Sequence, residues 1–258
     1  MKKIAAAAAA VLLAVLCAVS AFAATGGTGW FFRKNTEGKQ PALPSELSAV
    51  RGHNVVWLDA AHGDDSSEKV IYLTFDFGYE NGNVEKVLDA LDENGVKGSF
   101  FVLKQPIVNN TELVRRMFEN GHLVCNHTTH HKDMSAISEK ETFCRELTEI
   151  EEICKAYTGY DMARFYRPPE GKFNEQGLSW ADELGYTTVF WSFAYADWDN
   201  GKQPDPAAAK EKILSHLHNG EVLLLHPTSA TNAAILGDLI REIKKEGYEF
   251  RTLDQFGM

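Results

Sequence analysis

Residues 70–252 predict an α/β fold: a parallel sheet closed, or nearly closed, into a barrel and wrapped by helices. Three observations predict it. Short apolar runs suited to buried strands alternate with amphipathic helical patterns, the order of successive βα units. Polar residues with chemical potential follow most of the strand runs, as they do where strand C-termini meet at one rim of a barrel. The length, 258 residues, suits one such domain.

The elements follow in chain order. Residues 70–75 form the first strand. Residues 83–94 form a helix with Val84, Val87, Leu88 and Leu91 on one face. A strand at 98–103 precedes a helix at 111–120, stopped by Gly121. A third strand, 122–126, leads to a long helix at 138–158, where Ser138 and Glu141 have the spacing of a capping box. A strand at 164–167, a helix at 174–184 and a strand at 187–192 follow. Asp205 and Pro206 open a further helix as N-cap and first helical residue. Strand 221–225, helix 230–246 and strand 249–252 complete the chain.

The N-terminal residues have a different character. Lys2 and Lys3 precede an unbroken apolar run over 4–19, and Ala21-Phe22-Ala23 has the small-x-small form of a cleavage site. Residues 1–23 therefore read as a secretory signal peptide, cut near Ala23, with a retained anchor as the alternative. Cys17 lacks the preceding residues that lipid attachment requires. The mature protein is expected outside the cytoplasm, with no stable membrane insertion. Residues 24–68 read as an extension that wraps the main domain. It carries Trp30, Phe31 and Phe32, then Val55-Val56-Trp57-Leu58.

The formal net charge is −10, and loss of Lys2 and Lys3 makes it more negative. Such a chain is repelled by phosphate backbones, which excludes nucleic acid as a partner. A glycan suits this charge, and a monomer is expected. Cys125, Cys144 and Cys154 remain after the signal. An odd number is a poor disulfide framework, and they read as free thiols.

The chemistry gathers behind the strands. Asp76 ends the first, His127 and His131 follow the third, Arg167 follows the fourth, Asp197 and Trp198 the fifth, and His226 the sixth. His127 and His131 stand four apart, a spacing that lets two rings share a metal ion from one helical turn. His130 is expected to point elsewhere. A carboxylate at Asp76 has the chemistry to take a proton from water. Arg167 is suited to orient Asp76 through a bidentate contact. In the rigid turn that follows, the backbone N–H of Glu170 is a candidate donor to a developing oxyanion. His226 is suited to protonate a leaving amine. Trp198 and Trp191 are candidates for an apolar wall against substrate, with core packing an equal reading for Trp191. Tyr79 is a further substrate-binding candidate.

Five strings stand in order: TFDFG, HTTHH, RPPEG, ADW and LLLH. Together they resemble the polysaccharide deacetylase family, carbohydrate esterase family 4, also called the NodB-homology domain, from about Val70 to Leu253. The resemblance implies a distorted (β/α)7 barrel over 69–258 and hydrolysis of an N-acetyl amide with a divalent metal, usually zinc. It implies Asp76 as base, His127 and His131 as metal ligands, Arg167 and Asp197 as orienting groups, and His226 as acid. The family's usual second Asp, a metal ligand, is replaced by Phe77, which predicts a weaker metal site.

The longer strings TFDFGYENG, NHTTHHKDM, FWSFAYADWD and LLLHPTSATN resemble the delta-lactam-biosynthetic de-N-acetylases. That subgroup acts on N-acetylmuramic acid of peptidoglycan and prepares muramic delta-lactam for the spore cortex. The same substrate is therefore expected here, with Glu80, Asn81, Asn174 and Asn232 as residues that shape specificity. The alternatives are deacetylation of another glycan (peptidoglycan N-acetylglucosamine, chitin oligomers or xylan) and a glycan-binding barrel without catalysis.

Overall fold

The computed structural model describes residues 27–33 and 38–258. The signal-peptide reading of 1–23 lies outside the described residues. Eleven strands and seven α-helices occur among the described residues. The strands are β1 (Thr28–Gly29), β2 (Val55–Val56), β3 (Lys69–Phe77), β4 (Ser99–Val102), β5 (Leu123–Asn126), β6 (Ala163–Tyr166), β7 (Lys172–Phe173), β8 (Thr187–Val189), β9 (Phe193–Ala194), β10 (Glu221–Leu225) and β11 (Tyr248–Arg251). The helices are α1 (Val84–Glu93), α2 (Lys104–Asn109), α3 (Thr111–Glu119), α4 (Lys140–Thr158), α5 (Glu175–Glu183), α6 (Pro206–Leu214) and α7 (Ala230–Lys245).

The main sheet is parallel throughout, in the order β2-β8-β6-β5-β4-β3-β10-β9. One edge of β3 carries β10. Its other edge is shared: β11 pairs with residues 69–72 and β4 with residues 74–77. The sheet curls because β8 pairs with β6 at one end of this path, while β9, four residues further on, pairs with β10 at the other. Ser192 N–H also donates to the Val222 carbonyl at 3.0 Å. Of the strand expected over 187–192 only 187–189 pair, as β8; 190–192 turn, and β9 follows just beyond the expected end. The result is the expected distorted barrel.

The two-residue period of β3 divides the core. Val70 and Tyr72 point inward and pack with Phe101, Cys125, Val189 and Val222. Ile71, Leu73, Phe75 and Phe77 point outward and pack with Val84, Leu88, Ile235 and Leu239 of α1 and α7. Phe77 is fully buried in that outer layer.

Several helix ends match their sequence signals. Asp205 accepts from Ala208 N–H as N-cap of α6, and Asn174 does the same for Gly177 at α5. Gly121 has φ 77° just past α3, where a side chain would be strained. Two expectations are corrected. α4 begins at Lys140 with Glu139 at its N-cap, and no side-chain cap forms, so the Ser138–Glu141 box is not made. α2 was not expected. It tolerates Pro106 because the N–H groups of a first helical turn have no intrahelical partner to lose.

The extension is tied to the barrel at several points. β1 pairs antiparallel with β7, β2 forms the edge beside β8, and Leu58 bridges to Glu221. Cys125 and Cys154 are buried, Cys144 is half-buried, and all three are free thiols. No helix among the described residues is long and apolar enough to cross a membrane.

Candidate active site

Alternation along β3 sends Thr74 and Asp76 to the same face as Val70 and Tyr72, at the C-terminal end of the barrel. Arg167, which follows β6, enters the same interior and is fully buried. Its guanidinium donates to Asp76 Oδ1 at 2.8 Å, Thr74 Oγ1 at 3.0 Å, the Val189 carbonyl at 3.1 Å and the Phe190 carbonyl at 3.3 Å. It lies over the Phe101 ring, 4.1 Å from the centroid, and 5.7 Å from that of Trp191. One donor therefore reaches Asp76, where a bidentate contact was expected; the others hold Arg167 itself. Burial alone pushes the Asp76 carboxyl upward. The charges of Arg167, His127 and His226 outweigh it and hold the group below the ordinary carboxylate range.

The two candidate ligand histidines meet, but not on a helical turn. Residues 127–133 form a loop in which Thr128 (φ 75°) and His131 (φ 54°) adopt left-handed backbone. Asn126 Oδ1 receives Thr128 N–H at 2.8 Å, and Thr128 Oγ1 receives His131 N–H at 3.0 Å. These bonds fix the bends and leave the two rings edge to face, 5.1 Å apart. His130 turns away, as expected. The Glu146 carboxylate of α4 accepts from its backbone N–H at 3.0 Å, pairs with its Nδ1 at 3.0 Å, and holds Lys132 at 2.6 Å.

His127 is prepared to donate a lone pair. Its Nδ1 lies 2.9 Å from the Arg167 carbonyl, which only accepts, so Nδ1 carries the proton and Nε2 is free. Nε2 stands 3.6 Å from Asp76 Oδ2. Burial depresses its pKa to about 4, so the ring is neutral near pH 7. This donor set fits two imidazole positions of a divalent ion. Among the described residues no third His, Cys, Asp or Glu completes the group. The position after Asp76 cannot supply one, because Phe77 faces the helix layer.

A second pair faces the same rim. Asp197, fully buried, accepts from His226 Nδ1 at 2.8 Å on one oxygen and from His226 N–H at 2.7 Å on the other. His226 lies after β10 and is partly exposed. Burial opposes its protonation. The hydrogen bond and charge of Asp197, with the charge of Asp76, hold its pKa above the ordinary value.

The remaining candidates separate. Trp198 and Tyr79 are 63% and 41% exposed, so both present free aromatic surface, and Asn200 donates to the Tyr79 hydroxyl. Trp191 packs in the interior beside Arg167, and its carbonyl accepts the Trp30 indole N–H at 2.9 Å. It is partly buried, and its packing contacts are with the extension and the barrel interior. The Glu170 side chain pairs with Lys172 at 2.7 Å, and its backbone has φ 56°. Asn81 donates to the Thr228 carbonyl, and Glu80 receives Gly82 N–H, so both shape the loop after β3. Asn174 is an α5 cap and also donates to the Ser135 carbonyl.

Sequence reasoning missed Thr74, Glu146 and the role of Asn126. Only Thr74 had a readable signal, its place two residues before Asp76 on a strand. The others act through chain-distant contacts.

Comparison with known proteins agrees with this fold. The family described as polysaccharide deacetylase matches residues 63–189. The peptidoglycan-N-acetylmuramic acid deacetylase PdaA of Bacillus subtilis is 36% identical over 246 residues, covering 95% of this chain and 92% of that protein. The solved structure of PdaA, a family 4 carbohydrate esterase, matches with a TM-score of 0.84 at 35% identity, covering 90% of this chain and 97% of its own. A family 4 carbohydrate esterase from Bacillus anthracis matches with a TM-score of 0.72 at 33% identity, covering 90% and 96%. The peptidoglycan-N-acetylglucosamine deacetylase PgdA of Listeria monocytogenes is 33% identical over 73% of this chain but 39% of its own length.

Proposed function

Because the chain belongs to the polysaccharide deacetylase family, we propose that it removes the acetyl group from N-acetylmuramic acid of peptidoglycan, outside the cytoplasm. The observation that carries this reading is the opposite tuning of two groups at one rim. The Asp76 carboxyl is shifted toward its ionised form by Arg167, and His226 toward its protonated form by Asp197, the directions that suit a base and an acid at the start of amide hydrolysis.

In this mechanism Asp76 takes a proton from the attacking water while the water oxygen adds to the acetyl carbon. Arg167 fixes the free rotation of that carboxylate. The backbone N–H of Glu170 is the proposed donor to the oxyanion. His226, steadied through Nδ1 by Asp197, delivers a proton from Nε2 to the sugar nitrogen as the C–N bond breaks. The products are acetate and a free amine. His127 and His131 are the proposed ligands of a divalent ion, zinc being the first candidate, which supplies charge to polarise an oxygen and acidify water. With two imidazoles and no third His, Cys, Asp or Glu grouped with them among the described residues, the site is proposed to be weak and to need added metal for full activity. Trp198 and Tyr79 supply exposed aromatic faces to the glycan.

The muramic substrate is supported by likeness to PdaA over nearly the whole length of both chains; delta-lactam formation in spore cortex is proposed from the resemblance of the four longer sequence strings alone. The secretory reading of residues 1–23 supports the location. The test is mass spectrometry of glycan strands before and after digestion with the mature protein and added zinc or cobalt. Acetate loss from muramic residues is expected. Loss only from N-acetylglucosamine residues overturns the substrate, and no loss from either overturns the activity.

A further inference from the structure

We propose that Asn232, gripped by Tyr195, is a positioning residue for the acid of this reaction: it aims Asp197 so that one carboxylate addresses both N–H groups of His226. The inference rests on the deacetylase reading above.

The geometry is specific. Asn232 lies in the first turn of α7 and is 1% exposed. Its Nδ2 donates to Asp197 Oδ2 at 2.6 Å and to the His226 carbonyl at 3.1 Å. Its Oδ1 accepts the Tyr195 hydroxyl. The amide has only one orientation that satisfies both sides, because a carboxylate accepts and a phenol proton is free to be donated. Its backbone N–H is fixed by the α7 N-cap, Ser229 Oγ, at 3.1 Å. Asn232 thus contacts the two chain segments whose relative placement defines the acid, the one carrying Asp197 and the one carrying His226.

The consequence for Asp197 follows from counting its acceptors. Oδ1 receives His226 Nδ1, and Oδ2 receives His226 N–H together with Asn232 Nδ2. Without the amide, only the backbone and ring N–H groups of His226 hold the carboxylate, and Oδ2 loses one of its two donors, so the carboxylate plane that aims the ring is less tightly fixed. The groups that face His226 are Asp197, Asp76 and Arg167. Asp76 and Arg167 are anchored in the barrel interior by other bonds, so the position of the imidazole relative to them depends on Asp197. Tyr195 holds the amide from the far side, and β9, which ends at Ala194, sets where Tyr195 stands.

The test separates leaving groups. The amide nitrogen of an acetylated sugar must be protonated as it departs, whereas the phenolate of an aryl acetate leaves without a proton. Asn232→Leu, of similar volume, is expected to lower kcat on the glycan by 10- to 100-fold with KM little changed, and to leave aryl acetate hydrolysis within a few fold. Tyr195→Phe removes only the hydroxyl and is expected to give a smaller drop of the same selective kind, which keeps the test alive should the leucine variant fail to fold. Equal loss on both substrates in Tyr195→Phe, or no loss on the glycan in either variant, overturns the positioning role. A wild-type protein inactive on the glycan overturns the deacetylase reading instead.

Discussion

Trp30 donates its indole N–H to the backbone carbonyl of Trp191, 2.9 Å away, and so fastens the N-terminal extension to the strand turn beneath Arg167. The same residue stacks on Phe190, with centroids 4.3 Å apart, and its backbone N–H reaches the Gly171 carbonyl at 2.8 Å. A Cβ at Gly171 would stand 2.8 Å from Trp191 and 3.0 Å from Trp30, so the packing at this turn admits no side chain. Trp30→Ala is expected to cost about 3–5 kcal/mol, the usual range for a large buried aromatic. Urea unfolding measures it. Glycan deacetylation should fall as well, because the turn carrying Glu170 loses its brace.

Asp76→Asn and His226→Ala are each expected to lower acetate release by about 10²–10⁴-fold, the usual contribution of a positioned base or acid. Arg167→Lys should fold less stably. An ammonium lacks the planar fork that reaches Thr74, Asp76 and two carbonyls together. A melting temperature alongside acetate assays checks all three.

Glu146 ties down the loop that carries His131 without touching the substrate side. Glu146→Ala removes the acceptor of His130 N–H and of Lys132. Zinc affinity is expected to fall about 10-fold, within the range seen when groups that orient metal ligands are lost. Calorimetric titration of apoprotein with zinc reads the change.

Stability should decline in mild acid. His122 is buried, its Nδ1 accepts Gly98 N–H at 3.1 Å, and burial lowers its pKa to about 4. His218 is likewise lowered to about 4 by burial. Between pH 6.5 and 4 the unfolded chain binds protons that the folded chain refuses. Their stabilisation is therefore complete above pH 6.5 and is lost as pH falls toward 4, with a limiting slope of about 1.4 kcal/mol per pH unit for each group. Urea midpoints at pH 7 and pH 5 should differ accordingly. His122→Asn, which keeps an acceptor for Gly98, should flatten the dependence.

Much of the fold was legible because its strands are fully buried apolar runs: 221–225 coincides with β10, and 70–75 lies inside β3. What escaped were features that a periodic reading cannot carry. The break between β8 and β9 depends on which neighbour each strand pairs with. α2 was hidden by Pro106. The candidate site was legible as a set of residue types behind strands, since parallel βα order gathers such positions. Its geometry was not. The expected helical turn at 127–131 gave way to two left-handed residues, held by Asn126 and Thr128 side chains that no spacing rule announces. Phe77 was read as a lost ligand, and the structure adds that its ring fills the outer core.

The last strand of the chain lies against the first long one. β11 occupies the lower half of the β3 edge and β4 only the upper half, so the floor of the barrel stays open until residues 248–251 have been made. Pairings this remote in sequence carry a large loop-closure cost and slow the folding of the domain that needs them. A substitution that weakens the β3–β11 pairing is therefore felt across the whole barrel floor rather than at one edge.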